Sequence, residues 1–400
     1  MILKIGLFIL ASLLSFYNQG ASNVDDLIPQ VSYTFGQSLT FELQFSEDSQ
    51  VKEVFVFWQA DGSESANQGR AQLSGNQAVY QADLAEEPLP PFVKVTYWFG
   101  ITSGSGANED LVYSQSYTFD YEDDRFSWKR LESDQILLNW IEGDAGFAQQ
   151  AVNAANEGLQ KANAMLPFLP DLSEPVHIYL YPTPGDVQEA LQLTGISWLA
   201  GHANPELNLI LTSISPGSAQ LAEIRRQIPH EIMHILLHQY VTEAGQTYGN
   251  LPLWLSEGLA SLAELEPNSD YPILIYEAWQ SDNLLGMAEL CRTFPSDPSR
   301  LILAYAQSTA FTNYLLQQYG ASGMDRLILN YTDGLECERG AEQALGDNLT
   351  RLDQQWVNTT LGELEAPAEP ELAYSWLILV GFLVIIPLLA AIFRPRPRDK

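Results

Sequence analysis

The chain has 400 residues, 50 of them acidic against 19 basic, and a formal net charge of −31. That balance lacks the basic footprint of a nucleic-acid binder, so nucleic acid is excluded as an expected partner. It suits a soluble, secreted surface that repels anionic ones.

Residues 1–22 read as a secretory signal peptide, with Lys4, an apolar stretch over 5–16 and the small residues Gly20, Ala21 and Ser22. From about Val31 to Tyr121, apolar residues alternate at period two, as in Phe41, Leu43 and Phe45 or Val93, Val95 and Tyr97. Turn-rich stretches over 60–69 and 103–108 separate these runs. The pattern predicts a small all-β sandwich over 28–122, immunoglobulin- or fibronectin-like. It carries no Cys, nucleophile or metal cluster, which favours a packing or spacer module over a binding one.

After the charged stretch 122–125 the period changes. An Ala-rich helix is expected over 146–166, a strand over 176–181, a helix over 184–193 and an apolar strand over 207–214. The apolar run 228–241 then contains His230-Glu231-Ile232-Met233-His234. On a helix, residues four apart share a face, so two imidazoles can grip one Zn²⁺ with Glu231 beside them. Pro229 either opens this helix at its first turn or kinks a longer one beginning near Ala219. His238 continues the series, but eight residues of helix put it about 12 Å from His230, too far to share the ion.

A third ligand is expected from the next helix, around Trp254-Leu255-Ser256-Glu257-Gly258. Glu257 is a carboxylate in a nearly uncharged stretch, and burial there demands a cation. Glu243, Glu264 and Glu266 are rivals in polar surroundings, where a solvated carboxylate is the default. Beyond Glu266 the chain reads as mainly helical, with its longest run over 301–319.

The far end predicts a stalk over 364–373, an uncharged membrane-spanning helix over 374–393 and a basic tail over 394–400. The positive-inside rule puts that tail in the cytoplasm and the preceding domains outside a cell membrane crossed once. Cys291 and Cys337 either pair in that setting or remain free thiols.

Together, His230-Glu231-x-x-His234 and the Trp254-Leu255-x-Glu257-Gly258-x-Ala260 helix resemble the gluzincin metallopeptidases, specifically the peptidase MA-like domains. The resemblance runs from about Trp128 to Leu361. It implies an α+β zincin-like catalytic domain over 125–363, with a mainly helical C-terminal lobe. It also implies zinc held by His230, His234 and Glu257, and Glu231 as general base toward a zinc-activated water. Tyr305 is the candidate for stabilising the oxyanion, with a plain core aromatic as the alternative. Thermolysin-like members have an Asp four residues after the ligand Glu, orienting a zinc-bound imidazole. Here Ser261 stands there, and its hydroxyl or a backbone carbonyl is expected to take that role. The family also implies that the strand over 207–214 pairs with an extended substrate. The function expected is a membrane-anchored zinc peptidase acting on peptide or protein substrates outside the cell, an endopeptidase by preference. The alternative is a silent zincin-like surface binding or adhesion protein.

Overall fold

A computed structural model describes residues 27–47, 50–104, 110–192 and 201–362. The chain divides into two compact units, residues 1–127 with 185–199 and residues 128–184 with 200–400.

Among its described residues, the first unit is all-β apart from a short helical piece. Its strands are β1 (Ile28–Thr34), β2 (Ser38–Gln44), β3 (Val51–Ala60), β4 (Asn67–Arg70), β5 (Gln72–Ser74), β6 (Gln77–Asp83), β7 (Val93–Ser103), β8 (Asp110–Tyr113) and β9 (Tyr117–Tyr121). They form two antiparallel sheets: β1-β2-β6-β5, and β4-β3-β7-β8 with β9 also on β7. Alternation drives the packing. Leu39, Phe41 and Leu43 of β2 and Val54, Val56 and Trp58 of β3 are all fully buried, while their neighbours face outward. Phe41 meets Trp58 at 5.5 Å and Tyr97 at 5.2 Å between ring centroids, joining the two inner faces.

The second unit opens with β10 (Lys129–Glu132), β11 (Ile136–Trp140), α1 (Ala145–Met165) and β12 (Val176–Tyr181). Then come α2 (Pro184–Gln192), which groups mostly with the first unit, β13 (Gly201–Asn204) and β14 (Leu209–Ser213). The sheet order is β10-β11-β12-β14-β13; β11, β12 and β14 run parallel and the two edge strands antiparallel. Asp144 caps α1 by accepting the Phe147 N–H at 2.9 Å. The remainder is helical: α3 (Gln220–Glu243), α4 (Leu253–Ala263), α5 (Tyr271–Gln280), α6 (Pro298–Thr332), α7 (Cys337–Leu345), α8 (Leu349–Trp356) and a π turn, Val357–Leu361. Gly320, at φ 64°, interrupts α6 with a kink. Cys291 and Cys337 form a disulfide that ties the segment before α6 to the start of α7.

One part of the expected architecture is corrected. No helix among the described residues is long and apolar enough to cross a membrane. The longest, α6, carries Arg300, Asp325 and Arg326 and is broken at Gly320. The expected span over 374–393 lies outside the described residues, as do the expected signal peptide, stalk and tail.

Candidate metal centre

Helix α3 carries the first motif in its interior, and Pro229 sits inside that helix rather than at its start. The proline ring packs on α1 at Gly158, where a Cβ would lie 2.8 Å from the Pro229 Cβ. Only a glycine allows that approach. Proline also has no N–H to donate to the carbonyl four residues earlier, that of Arg225. That carbonyl instead accepts the Leu265 N–H at 2.9 Å, fixing the segment that follows α4 against α3. Helix α4 is set against α6 just as closely. A Cβ at Gly258 would collide with Thr312 and the Ser308 carbonyl, so the residue after Glu257 must be small.

These contacts bring His230, His234 and Glu257 together, one donor atom from each lying within 4.8 Å of the others. His230 Nε2 is 3.2 Å from Glu257 Oε2, and His234 Nε2 is 3.7 Å from Glu257 Oε1. The opposite ring nitrogens are already engaged. His230 Nδ1 lies 3.1 Å from Glu264 Oε1, so its N–H donates to that carboxylate. His234 Nδ1 lies 3.1 Å from the Tyr248 hydroxyl and 3.2 Å from Ser256 Oγ, which lie 3.0 Å apart. With Nδ1 protonated on both rings, both Nε2 lone pairs face the Glu257 carboxylate. Three acceptors then converge with no donor between them. Such a set calls for a cation, and two imidazoles with a carboxylate suit Zn²⁺.

A proton on the imidazole can meet the same demand when no cation does. Burial disfavours the His230 imidazolium, but hydrogen bonds to Glu257 and Glu264 and the nearby Glu231 charge outweigh it, and its pKa is pushed up to about 10. Burial likewise opposes the Glu257 carboxylate, yet His234 and His230 hold its pKa well below the usual range. Glu231 differs: burial, aided by the Glu257 charge, raises its pKa against the pull of both histidines and an Ala203 N–H. It is the carboxylate of the cluster readiest to take up a proton.

The cluster corrects two sequence expectations. Ser261 does not orient an imidazole: its buried hydroxyl has no hydrogen-bond partner among the described residues, and Glu264 has that role. Nor is Glu264 solvated; it is only 4% exposed, and its backbone carbonyl accepts Lys161 Nζ. The strand expected to pair with substrate is corrected too. β14 lies between β12 and β13, so both its edges are paired, and on that side the edge strand among the described residues is β13. One β13 amide, that of Ala203, donates to Glu231.

Tyr305 lies on α6, with its ring against Phe294 at 5.2 Å. Burial raises its pKa strongly, and the charges of Glu257 and Glu231 act in the same direction. Its phenol therefore stays protonated close to the cluster. His238 takes no part; its ring packs on Tyr248 at 5.4 Å. Sequence reasoning weighed Glu264 only as a rival metal ligand, and it missed Tyr248 and Ser256. Only Ser256, beside Glu257, sat within a recognised motif.

Comparison with curated proteins gives no match. Among solved structures, the chain is similar to BhCBM56, solved as a Br derivative, at 11% identity over 25% of this chain and 96% of that one, with a TM-score of 0.20. It is similar to a myokine at 13% identity, over 24% and 92%, with a TM-score of 0.18. It is also similar to purple acid phosphatase PPD1 from yellow lupin (Lupinus luteus) seeds, at 11% identity over 50% and 39%, with a TM-score of 0.20. Scores this low carry no argument. The profile of the peptidase MA superfamily, by contrast, matches residues 154–362, a span that contains all of the converging histidines and carboxylates. On a match over more than half its length, the chain belongs to the peptidase MA superfamily.

Proposed function

We propose that this chain is a zinc-dependent peptidase of the gluzincin type, cutting peptide bonds by hydrolysis. The observation that carries the reading is the convergence of His230, His234 and Glu257 beside Glu231. Zinc bound by those three side chains would supply Lewis acidity, polarising a carbonyl and making water a better acid.

Glu231 accepts the proton of the attacking water and returns it to the amide nitrogen as the C–N bond breaks. Its raised pKa suits that exchange. Glu264 holds His230 in one tautomer, and Tyr248 with Ser256 does the same for His234. Tyr305, kept neutral, offers a hydroxyl to the oxygen that gains negative charge. The outer edge of β13, an edge strand among the described residues, accepts an extended peptide by strand addition, a mode that suits cleavage within a chain. The disulfide supports an oxidising compartment as the working place.

The test pairs two variants of the full chain. Glu231→Gln is expected to keep about one zinc per chain but lose at least about 10²-fold in hydrolysis. His234→Ala is expected to lose the metal itself. Full zinc occupancy in the second variant, or wild-type turnover in the first, rejects the reading.

A further inference from the structure

Helix α6 packs on α4 right beside a candidate metal ligand. A Cβ at Gly258, the residue after Glu257, would lie 2.6 Å from the Ser308 carbonyl. Tyr305 precedes Ser308 by three residues, so it lies about one turn along the same face of α6. Among the described residues, the Tyr305 hydroxyl makes no hydrogen bond. Its ring meets one other ring there, that of Phe294, at 5.2 Å between centroids and 89° between planes. That is the edge-to-face arrangement aromatic pairs favour.

Phe294 is anchored where Tyr305 is not. It is half-buried and packs on the apolar core of the second unit. It lies in the segment between α5 and α6, which is fastened to three different helices. Leu285 exchanges two hydrogen bonds with the buried Gln307 side chain of α6, both at 2.9 Å. The Met287 N–H donates to Asp353 on α8 at 3.1 Å. Cys291 is bonded to Cys337 at the start of α7. On the other side of Phe294, Asp297 caps α6 by accepting the Ser299 and Arg300 N–H groups at 3.1 and 3.0 Å. Between these anchors, residues 293–296 make no hydrogen bond among the described residues. The short strap is thus pinned at both ends and turns the Phe294 ring onto Tyr305. An oxyanion donor works only at about 2.7–3.1 Å from the oxygen that gains charge. A phenol free to swing about its side-chain torsions misses that range, and a ring wedged against it removes the freedom.

We propose that Phe294 is a positioning residue for Tyr305: its ring, held by the disulfide-anchored segment, keeps the Tyr305 hydroxyl aimed at the carbonyl oxygen of the bond being cut. The proposal rests on the zinc-peptidase reading above. It places the effect on turnover and not on the metal, because His230, His234 and Glu257 belong to α3 and α4.

The test is a double-substitution cycle on the zinc-loaded full chain, with a quenched fluorescent peptide that the wild type selects from a random-sequence library. Tyr305→Phe removes the hydroxyl and is expected to lower kcat by about 10²-fold. Phe294→Ala is expected to lower kcat by about tenfold, with KM within about twofold and zinc content unchanged. Phe294→Tyr keeps a ring at that place and should restore most of the wild-type kcat. In the Tyr305→Phe background, Phe294→Ala should cost less than about twofold, because a residue acting through a hydroxyl has no effect once the hydroxyl is gone. Should Phe294→Ala fail to fold, Phe294→Leu, apolar and ringless, takes its place with the same expectations. An equal loss in both backgrounds, or a wild-type kcat in the ringless variant, overturns the positioning role and leaves the metal centre standing. A zinc-loaded wild type that cuts no member of the library overturns the zinc-peptidase reading instead, and the positioning role falls with it.

Discussion

The two units differ in where they bury polar side chains: the first buries Asp123 after its last strand, paired with Arg125. The inner faces of the sandwich are almost wholly apolar: Leu39, Phe41, Leu43, Val54, Val56 and Trp58 are all fully buried. The second unit buries an apolar core as well, but Glu264, Gln307, Ser308, Ser261 and Thr312 are buried with it. Apolar burial is sufficient to hold a fold together. Burying a carboxylate costs stability unless something pairs with it, so Glu264 beside His230 points to chemistry. The comparison is broken most forcefully from the sandwich side. Phe41→Ala removes a ring that packs on both Trp58 and Tyr97 and is expected to cost about 3–5 kcal/mol of stability. Zinc content should not change, since all the converging ligands lie in the other unit. Denaturant unfolding with metal analysis on the same preparation checks this; loss of zinc at temperatures where the protein remains folded would show that the contrast is drawn too sharply.

The opposite substitution belongs in the second unit. Glu264→Gln keeps the size of the side chain but replaces a charged acceptor of the His230 N–H with a neutral one. Removing such an outer partner is expected to weaken zinc binding by about 10–100-fold. Competition with a chelator of known affinity reads this directly. An unchanged affinity would reduce Glu264 to a buried packing group.

The histidine pair was legible because helical spacing is local: residues four apart on one helix must share a face whatever the tertiary fold. Glu257 was legible from the apolar character of its own helix. Glu264 was not, because its environment is made by distant contacts, the Arg225 carbonyl holding Leu265 and Lys161 holding the Glu264 carbonyl. One local signal did exist. A proline within a helix frees the carbonyl four residues earlier, and a freed buried carbonyl must find a donor. The substrate edge was misplaced for a related reason. All five residues of β14 are buried, as in a central strand covered on both sides, whereas β13 is four residues long and has no comparable apolar run. The alternation of the sandwich strands was plain in sequence, but which strands share a sheet depends on pairings such as β2 with β6, far apart along the chain.

The smallest effect concerns a carboxylate away from the metal centre. Asp353 on α8 accepts the Met287 N–H at 3.1 Å, and burial pushes its pKa up to about 6, with the Glu338 charge adding to the rise and the hydrogen bond opposing it. The sign follows from proton binding. Between its ordinary value and about 6, the folded protein holds a proton that the unfolded chain has released. The contribution of neutral Asp353 is thus fully present below about pH 4 and is lost as pH rises through about 6. Asp353→Asn keeps an oxygen for the Met287 N–H and cannot ionise. At pH 8 the variant is expected to be more stable than wild type by on the order of 1–2 kcal/mol, and the difference should shrink toward zero near about pH 4. Denaturant unfolding of both proteins across that range isolates the residue, because the other titrating groups are common to both and cancel in the difference. Parallel stability curves would mean that water reaches Asp353, and that this carboxylate belongs with the solvated surface of the second unit rather than with its buried polar groups.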